Sequence, residues 1–221
     1  QAIDSSFALP AATFSGPQTT LAGLVINDPP APPAAVKKQG PAQTPFVGRE
    51  QTYQQLGALL GAIRRGEGQV ALVEGEPGVG KSRLVSELLE GMVDGEFCVL
   101  STKCYEVEQE IPYGVMVDLV EQALATWPSH FFQGLSPLVL AEIALLVPGV
   151  MNRFPELPAA PAPIPETGQA RLFSALVNLL TAPAPQNPLV LVVEDIHWVD
   201  PTSLQFLHYF VRHLSDSPIL L

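Results

Sequence analysis

Cysteine, cations and long apolar runs are scarce in this 221-residue sequence. Its two cysteines, Cys98 and Cys104, are too few for a disulfide framework or a cysteine-based metal site, and we expect reduced packing residues. Only 11 lysines and arginines stand against 22 acids, and a net charge of −11 argues against a nucleic-acid-binding surface. No apolar run approaches the roughly 18 residues of a membrane span, and Gln1–Pro10 lacks a signal-peptide pattern. We therefore expect a cytoplasmic protein that contacts neither membranes nor nucleic acid through this chain.

The hydrophobic content, 47% of the residues, is enough for one sizeable α/β domain. We place that domain at residues 46–221 and interpret residues 1–45, rich in alanine and proline, as a disordered, semi-rigid linker. A structured arm is the alternative, because Leu21–Ile26 has the composition of a strand. A linker at the start predicts that another segment precedes it, so we expect a fragment of a longer protein.

The central motif runs from Gly75 to Ser82 and fits G-x-x-x-x-G-K-[ST], the phosphate-binding loop. An apolar run, Gln69–Val73, predicts a strand before it, and the apolar spacing from Leu84 to Met92 predicts a helix after it. Glycines let consecutive backbone N–H groups converge on one phosphate, and the helix N-terminus adds its positive dipole end. Lys81 is placed to reach the β- and γ-phosphates, and the Ser82 hydroxyl to ligate Mg²⁺.

Further helices and strands alternate along the chain. Phe97–Ser101 predicts a second strand, and Asp200 with Pro201 has the pattern of a helix N-cap followed by its first residue. This order implies a parallel sheet with helices on both faces, the three-layer α/β/α arrangement. Helices are predicted from Tyr53 to Ile63, Val115 to Trp127, Leu138 to Leu146, Gln169 to Leu180, and beyond Asp200, with a proline-rich break at residues 154–165.

A second acidic motif supports nucleotide chemistry. Leu189–Val193 is a continuous apolar run that ends in Glu194 and Asp195, the form of a Walker B strand. Mg²⁺ prefers oxygen ligands, often one or two carboxylates with phosphate and water, and a neighbouring carboxylate serves as general base. The sequence therefore predicts ATP and Mg²⁺ as cofactors.

Three strings resemble a known family. PFVGRE at 45–50, GEPGVGKSRL at 75–84 and VEDIHWVDPTSL at 193–204 are similar to the AAA-type ATPase module of the STAND class. The resemblance is greatest to the origin-recognition-like modules of large LuxR-type and antibiotic-regulator-type transcription factors and of some nucleotide-cyclase fusions. It implies a regulatory ATPase that switches a multidomain signalling protein, with the protein's other domains as partners and nucleotide-dependent association with further copies.

The resemblance also implies site residues. Glu194, by register, is the metal-side acid and Asp195 the catalytic one. Relatives often have Asp at the first position, and the alternative is that the metal contact shifts to Asp195. Lys81 joins them as a catalytic residue, and Ser82, Glu194 and Asp195 form the metal set. The nucleotide-binding residues it implies are Val47, Gly48, Arg49, Gly75, Glu76, Pro77, Gly78, Val79, Gly80, Lys81, Ser82 and Arg83.

Other polar residues carry two interpretations each. His197 either senses the γ-phosphate or a neighbouring subunit, or caps a turn while Trp198 packs on the sheet. Arg171 either approaches the nucleotide or lies on a solvated helix face, the interpretation we prefer, as we do for Tyr105 and Glu106. Two other functions fit the sequence less well. A phosphotransferase acting on a small acceptor needs a lid that binds the acceptor, and the sequence has no basic cluster to supply one. A nucleotide-binding scaffold without turnover does not need both acids, and both are present.

The resemblance makes one more prediction about the sheet. It places Pro218–Leu221 as the strand between the Walker B strand and the P-loop strand, so the chain ends in the middle of its own sheet. Gln69–Val73 then becomes an exposed apolar edge. We therefore expect weak ATP binding, little turnover and a tendency to associate from this chain alone.

Overall fold

The computed structural model describes residues 18–21, 24–27, 49–92, 95–160, 167–184 and 186–221. It is a mixed α/β fold whose sheet has three parallel strands in the order β3-β4-β5. The helices are α1 Glu50–Arg64, α2 Lys81–Glu90, α3 Gly114–Thr126, α4 Pro137–Ala144, α5 Val150–Arg153, α6 Gly168–Thr181 and α7 Pro201–Val211. The strands are β1 Gln18–Leu21, β2 Leu24–Asn27, β3 Cys98–Lys103, β4 Leu189–Glu194 and β5 Ile219–Leu220.

Alternate residues of β4 serve two hydrophobic clusters. Leu189 and Leu191 belong to the large cluster with α3, α4, α6 and α7, whereas Val190 belongs to the smaller cluster with α1 and α2. Since successive side chains of a strand point to opposite faces, the sheet is covered by helices on both sides. The predicted three-layer α/β/α arrangement is confirmed.

The strand after β4 lies where it was predicted. β5 pairs in parallel with β4, and Leu220 also bridges to Gln69 in parallel. The amide N–H groups of Gln69 and Ala71 donate to the carbonyls of Ile219 and Leu221, at 2.8 and 2.7 Å. β5 therefore lies between the Walker B strand and the segment that leads into the P-loop.

The predicted strand Gln69–Val73 is realised only as this bridge. Its pairing with β5 reaches Leu221, and no strand among the described residues pairs with its other side. Val70 and Leu72 are accordingly 50% and 68% exposed. This is the apolar edge expected from the sequence.

The segment interpreted as a linker contains a short antiparallel hairpin. β1 pairs with β2 from Gln18 opposite Asn27 to Leu21 opposite Leu24. The β-branched residues Thr19, Thr20, Val25 and Ile26 favour these strands. Whether residues 1–45 form a linker or a structured arm stays a prediction. The rest of residues 1–48 lies outside the described part of the chain.

The predicted helices are found with small shifts at their ends, and Asp200 and Pro201 begin α7 as expected. α5 and two short 3₁₀ turns, Glu106–Glu108 and Ser129–Phe132, were not predicted. None of the described helices has the length and apolarity needed to cross a bilayer.

Candidate active site

The P-loop joins the edge of the sheet to α2. Gly78 and Gly80 have φ values of 78° and 87°, a conformation that costs a residue with a Cβ atom. Gly80 is the N-cap of α2 and, lacking a side chain, leaves the first N–H groups of the helix without a side-chain acceptor. The loop is exposed and its curl points the start of α2 toward open space.

Lys81 folds back over this loop. Its Nζ donates to the carbonyl oxygens of Gly75 and Glu76, at 2.9 and 3.2 Å. The ammonium group is thereby held inside the curl formed by the loop, beside the N-terminus of α2. Positive charge and helix dipole thus coincide at one place.

Two further arginines lie at the loop. The Arg49 guanidinium group is 3.9 Å from the position that a Cβ atom on Gly80 would occupy. Arg83 instead has its guanidinium 3.6 Å from Glu87, one turn further along α2. Ser82 is exposed on the first turn of α2, next to Lys81. Val47 and Gly48, also predicted to bind nucleotide, lie outside the described residues.

The acids lie at the same edge of the sheet. The pairing aligns Gln69, Leu220 and Val190 across the three neighbouring segments. Glu74 lies five residues after Gln69, and Asp195 five residues after Val190, so both reach a similar level along the sheet. Two strand spacings, or about 10 Å, separate the Walker B strand from the P-loop segment. The acids and the loop therefore both lie at the carboxyl edge of the sheet.

Glu194 and Asp195 point in different directions. By strand alternation Glu194 lies on the same face as Val190 and Val192, the face that carries α1 and α2. Asp195 leaves the strand in the left-handed conformation, with φ 51°, and begins a 3₁₀ turn over Ile196–Trp198. The strain of a non-glycine residue at positive φ is typical of functional turns.

Lys103, which was not predicted, contacts the second acid. It ends β3 in register with Glu194, and its Nζ lies 3.2 Å from Oδ2 of Asp195. The hydrogen bond with Asp195, and then its charge, raise the pKa of Lys103. Both side chains are partly exposed to solvent, so the ion pair adds little to the stability of the fold. Its effect is to orient the Asp195 carboxylate.

Asp200 also has a larger role than the predicted N-cap. Its Oδ1 accepts from the N–H groups of Thr202 and Ser203 in α7, and from Tyr113 at the start of α3. Its Oδ2 accepts from Gly114. The carboxylate, in a residue only 4% exposed, thus caps two helices at once.

The remaining candidates have structural contacts. Trp198 packs against the larger hydrophobic cluster, and the centres of the His197 and Trp198 rings are 4.9 Å apart. Arg171 donates to both carboxylate oxygens of Glu142 on α4, so neither nucleotide contact nor a solvated face describes it. Tyr105 and Glu106 are exposed.

Both thiols are free, as expected. Burial raises the pKa of Cys98 and of Cys104 to about 11, with neighbouring carboxylates adding to the shift for Cys104.

A scan against protein-family models matches residues 45–221 to the AAA ATPase domain. The chain belongs to this family. Among curated proteins, an uncharacterized protein of Rhizobium meliloti (strain 1021) is 26% identical over 189 residues, which cover 80% of this chain and 18% of that protein. The chain thus spans less than a fifth of this relative's length. No solved structure matches the chain at a significant level.

Membership of the AAA ATPase domain family agrees with the arrangement of the P-loop and the acids at one edge of the sheet. The loop, Lys81 and the strand-end acids are the parts that an ATP-binding module requires. ATP and Mg²⁺ are the ligands typical of the family.

Proposed function

We propose that this chain binds ATP with Mg²⁺ and hydrolyses it slowly, as a regulatory module of a larger cytoplasmic signalling protein. The observation that carries the proposal is the meeting of two groups at one sheet edge. One is the Lys81 ammonium group, held over its own loop. The other is the Glu194–Asp195 pair at the end of β4, which β5 separates from the segment before the loop.

A triphosphate fits the loop. The ammonium group of Lys81 is satisfied in this structure by two backbone carbonyls, and phosphate oxygens are stronger acceptors for it. The first N–H groups of α2 point to the same place and have no side-chain cap. Arg49, beside Gly80, adds a second cation at the loop.

The acids divide two tasks in this proposal. Glu194, on the face that carries α2, together with Ser82 holds the metal, and Asp195 orients the attacking water and accepts its proton. Mg²⁺, when bound, neutralises charge that builds up on the phosphate oxygens. Lys103 pairs with Asp195 and orients its side chain at the start of the turn.

We propose that the adenine ring of ATP binds beside α1. A groove of about 280 Å³ lies between α1 and residues 72–74, immediately before the loop. It offers apolar walls for a planar ring and a few polar groups for its edge. Its lining residues are Thr52, Gln55, Leu56, Leu59, Leu72, Val73 and Glu74. Val47 and Gly48 precede α1 and are proposed to close the same side.

The regulatory role rests on the resemblance to STAND-class modules and on the relative, which is several times longer than this chain. We infer that ATP binding and hydrolysis change contacts with other domains of the same polypeptide and with further copies. A transcriptional regulator is the proposed context, with fusion to a cyclase or kinase as the alternative.

Substitution of each acid tests the division of tasks. We expect Asp195→Asn to keep nucleotide binding and to lose at least tenfold in turnover, because the base is removed. Glu194→Gln should raise the Mg²⁺ concentration needed for half-maximal ATP binding. Mg²⁺ titrations and phosphate release are the measurements, and Asp216→Asn, an exposed acid on a distant turn, is the control.

Two results would change this assignment. A raised Mg²⁺ requirement in Asp195→Asn alone would exchange the two roles. Unchanged turnover and unchanged Mg²⁺ dependence in both variants would remove the acids from the site and with them the proposed hydrolysis.

A further inference from the structure

The segment Tyr105–Pro112, here called the β3–α3 loop, is exposed at every residue. Val107 is 87% exposed, Ile111 56% and Tyr105 50%. These apolar residues alternate with the carboxylates Glu106, Glu108 and Glu110. Packing in the described part of the chain does not account for three large apolar side chains held in solvent, and such patches mark interaction sites.

The β3–α3 loop is an ordered structure. The N–H groups of Glu108, Gln109 and Ile111 donate to carbonyls three residues earlier, at 2.9 to 3.3 Å. The apolar side chains are therefore presented by a preformed turn, which reduces the entropy lost on binding.

Both ends of the loop are attached to the Walker B region. Before it, Cys104 donates its N–H to the carbonyl of Glu194, and Lys103 pairs with Asp195. After it, Tyr113 and Gly114 donate to Asp200. A ligand on the loop thus sits beside the residues proposed for hydrolysis.

The loop itself carries only negative charge, and the nearby Lys103 ammonium group, 5.9 Å from the centre of the Tyr105 ring, is paired with Asp195. The sequence has no lysine or arginine between Lys103 and Arg153 but has six acids there, and the three in the loop have no ion-pair partner among the described residues. An apolar patch with a predominantly negative border is complementary to a cationic surface that carries apolar side chains.

We propose that the β3–α3 loop is a docking surface for a basic peptide segment of a partner, one in which lysines or arginines alternate with apolar residues. Carboxylates on the loop pair with its cations while Val107 and Ile111 contact its apolar side chains. The proposal goes beyond ATP binding and does not depend on it.

The test uses a fluorescein-labelled 12-residue peptide of alternating lysine and leucine, and anisotropy in nucleotide-free buffer. We expect Glu106→Gln/Glu108→Gln/Glu110→Gln to weaken binding at least tenfold. Val107→Ser/Ile111→Ser, which keeps every charge, should weaken it by a similar factor. A lysine–serine peptide of equal charge should bind wild type at least tenfold more weakly.

A matched control separates docking from the attraction of any cation to an acidic protein. Glu90→Gln/Glu156→Gln/Asp216→Asn removes the same three charges at exposed sites elsewhere and should change affinity less than threefold. All substituted residues are exposed, and unfolding midpoints check that every variant is folded.

Three results would overturn the proposal. Equal losses in the loop and control variants would show non-specific attraction. Unchanged binding in Val107→Ser/Ile111→Ser would remove the apolar contact. Self-association in light scattering that loop substitutions abolish, without peptide binding, would assign the patch to a second copy. Normal ATP binding in each case would leave the proposed function standing.

Discussion

Replacement of Asp200 by alanine removes four hydrogen bonds from two helices. The N-cap of α7 contributes about 1 kcal/mol. The N–H groups of Tyr113 and Gly114, both part-buried, lose their acceptor and cost about 1 kcal/mol each. We therefore expect Asp200→Ala to reduce the free energy of unfolding by about 3 kcal/mol, a large fraction of the stability of an ordinary domain.

Two further variants make this experiment specific. Asp200→Asn keeps an oxygen for the three bonds made by Oδ1 and loses the acceptor for Gly114, so we expect about a third of the effect. Ser136→Ala removes an ordinary N-cap, that of α4, whose exposed serine makes one bond of 3.3 Å to Leu138, and should cost about 0.5 kcal/mol.

Urea unfolding followed by circular dichroism measures all three variants. A loss for Asp200→Ala no greater than that for Ser136→Ala would refute the claim that one carboxylate caps two helices. Equal effects of Asp200→Asn and Asp200→Ala would show that the bond to Gly114 dominates.

Two more predictions follow from the ionisable groups near the sheet. Lys103→Ala should lower ATP turnover, because Asp195 loses the partner that orients it, whereas Lys103→Arg should retain most of it; unchanged phosphate release by Lys103→Ala would contradict the role given to this pair. The thiol pKa values are raised in the folded protein, so the thiolate is favoured in the unfolded chain and stability is lost as the pH rises from about 9 toward 11. Urea midpoints across this range, compared with those of Cys98→Ala/Cys104→Ala, measure the effect, and identical pH profiles would be inconsistent with it.

Short-range signals made much of the fold predictable. The P-loop needs its glycines, Lys81 and Ser82 within eight residues, and Asp200–Pro201 marks the start of α7 by local chemistry alone. Helix periodicity placed α3 and α6 to within one residue at each end. These elements depend on neighbours in the sequence, so single-chain patterns suffice.

Contacts between residues distant in the sequence could not be predicted from such patterns. Lys103 meets Asp195 only because β3 and β4 pair in parallel with Lys103 opposite Glu194. Arg171 meets Glu142 because α6 packs on α4. No residue-level pattern encodes such register, and the same holds for the second helix that Asp200 caps. The segment Gln69–Val73, predicted as a regular strand, is present only as a bridge from Gln69 to Leu220 with hydrogen bonds to Ile219 and Leu221.

Calorimetric titration of Mg²⁺–ATP into the chain and into Lys81→Ala measures the phosphate site directly. A charged hydrogen-bond donor of this kind contributes about 1.5–3 kcal/mol, so the variant should bind roughly 10- to 150-fold more weakly. Arg212→Ala, which removes an exposed cation at the far end of α7, should bind as the wild type does. Equal ATP affinity for wild type and Lys81→Ala would contradict a nucleotide site at the P-loop.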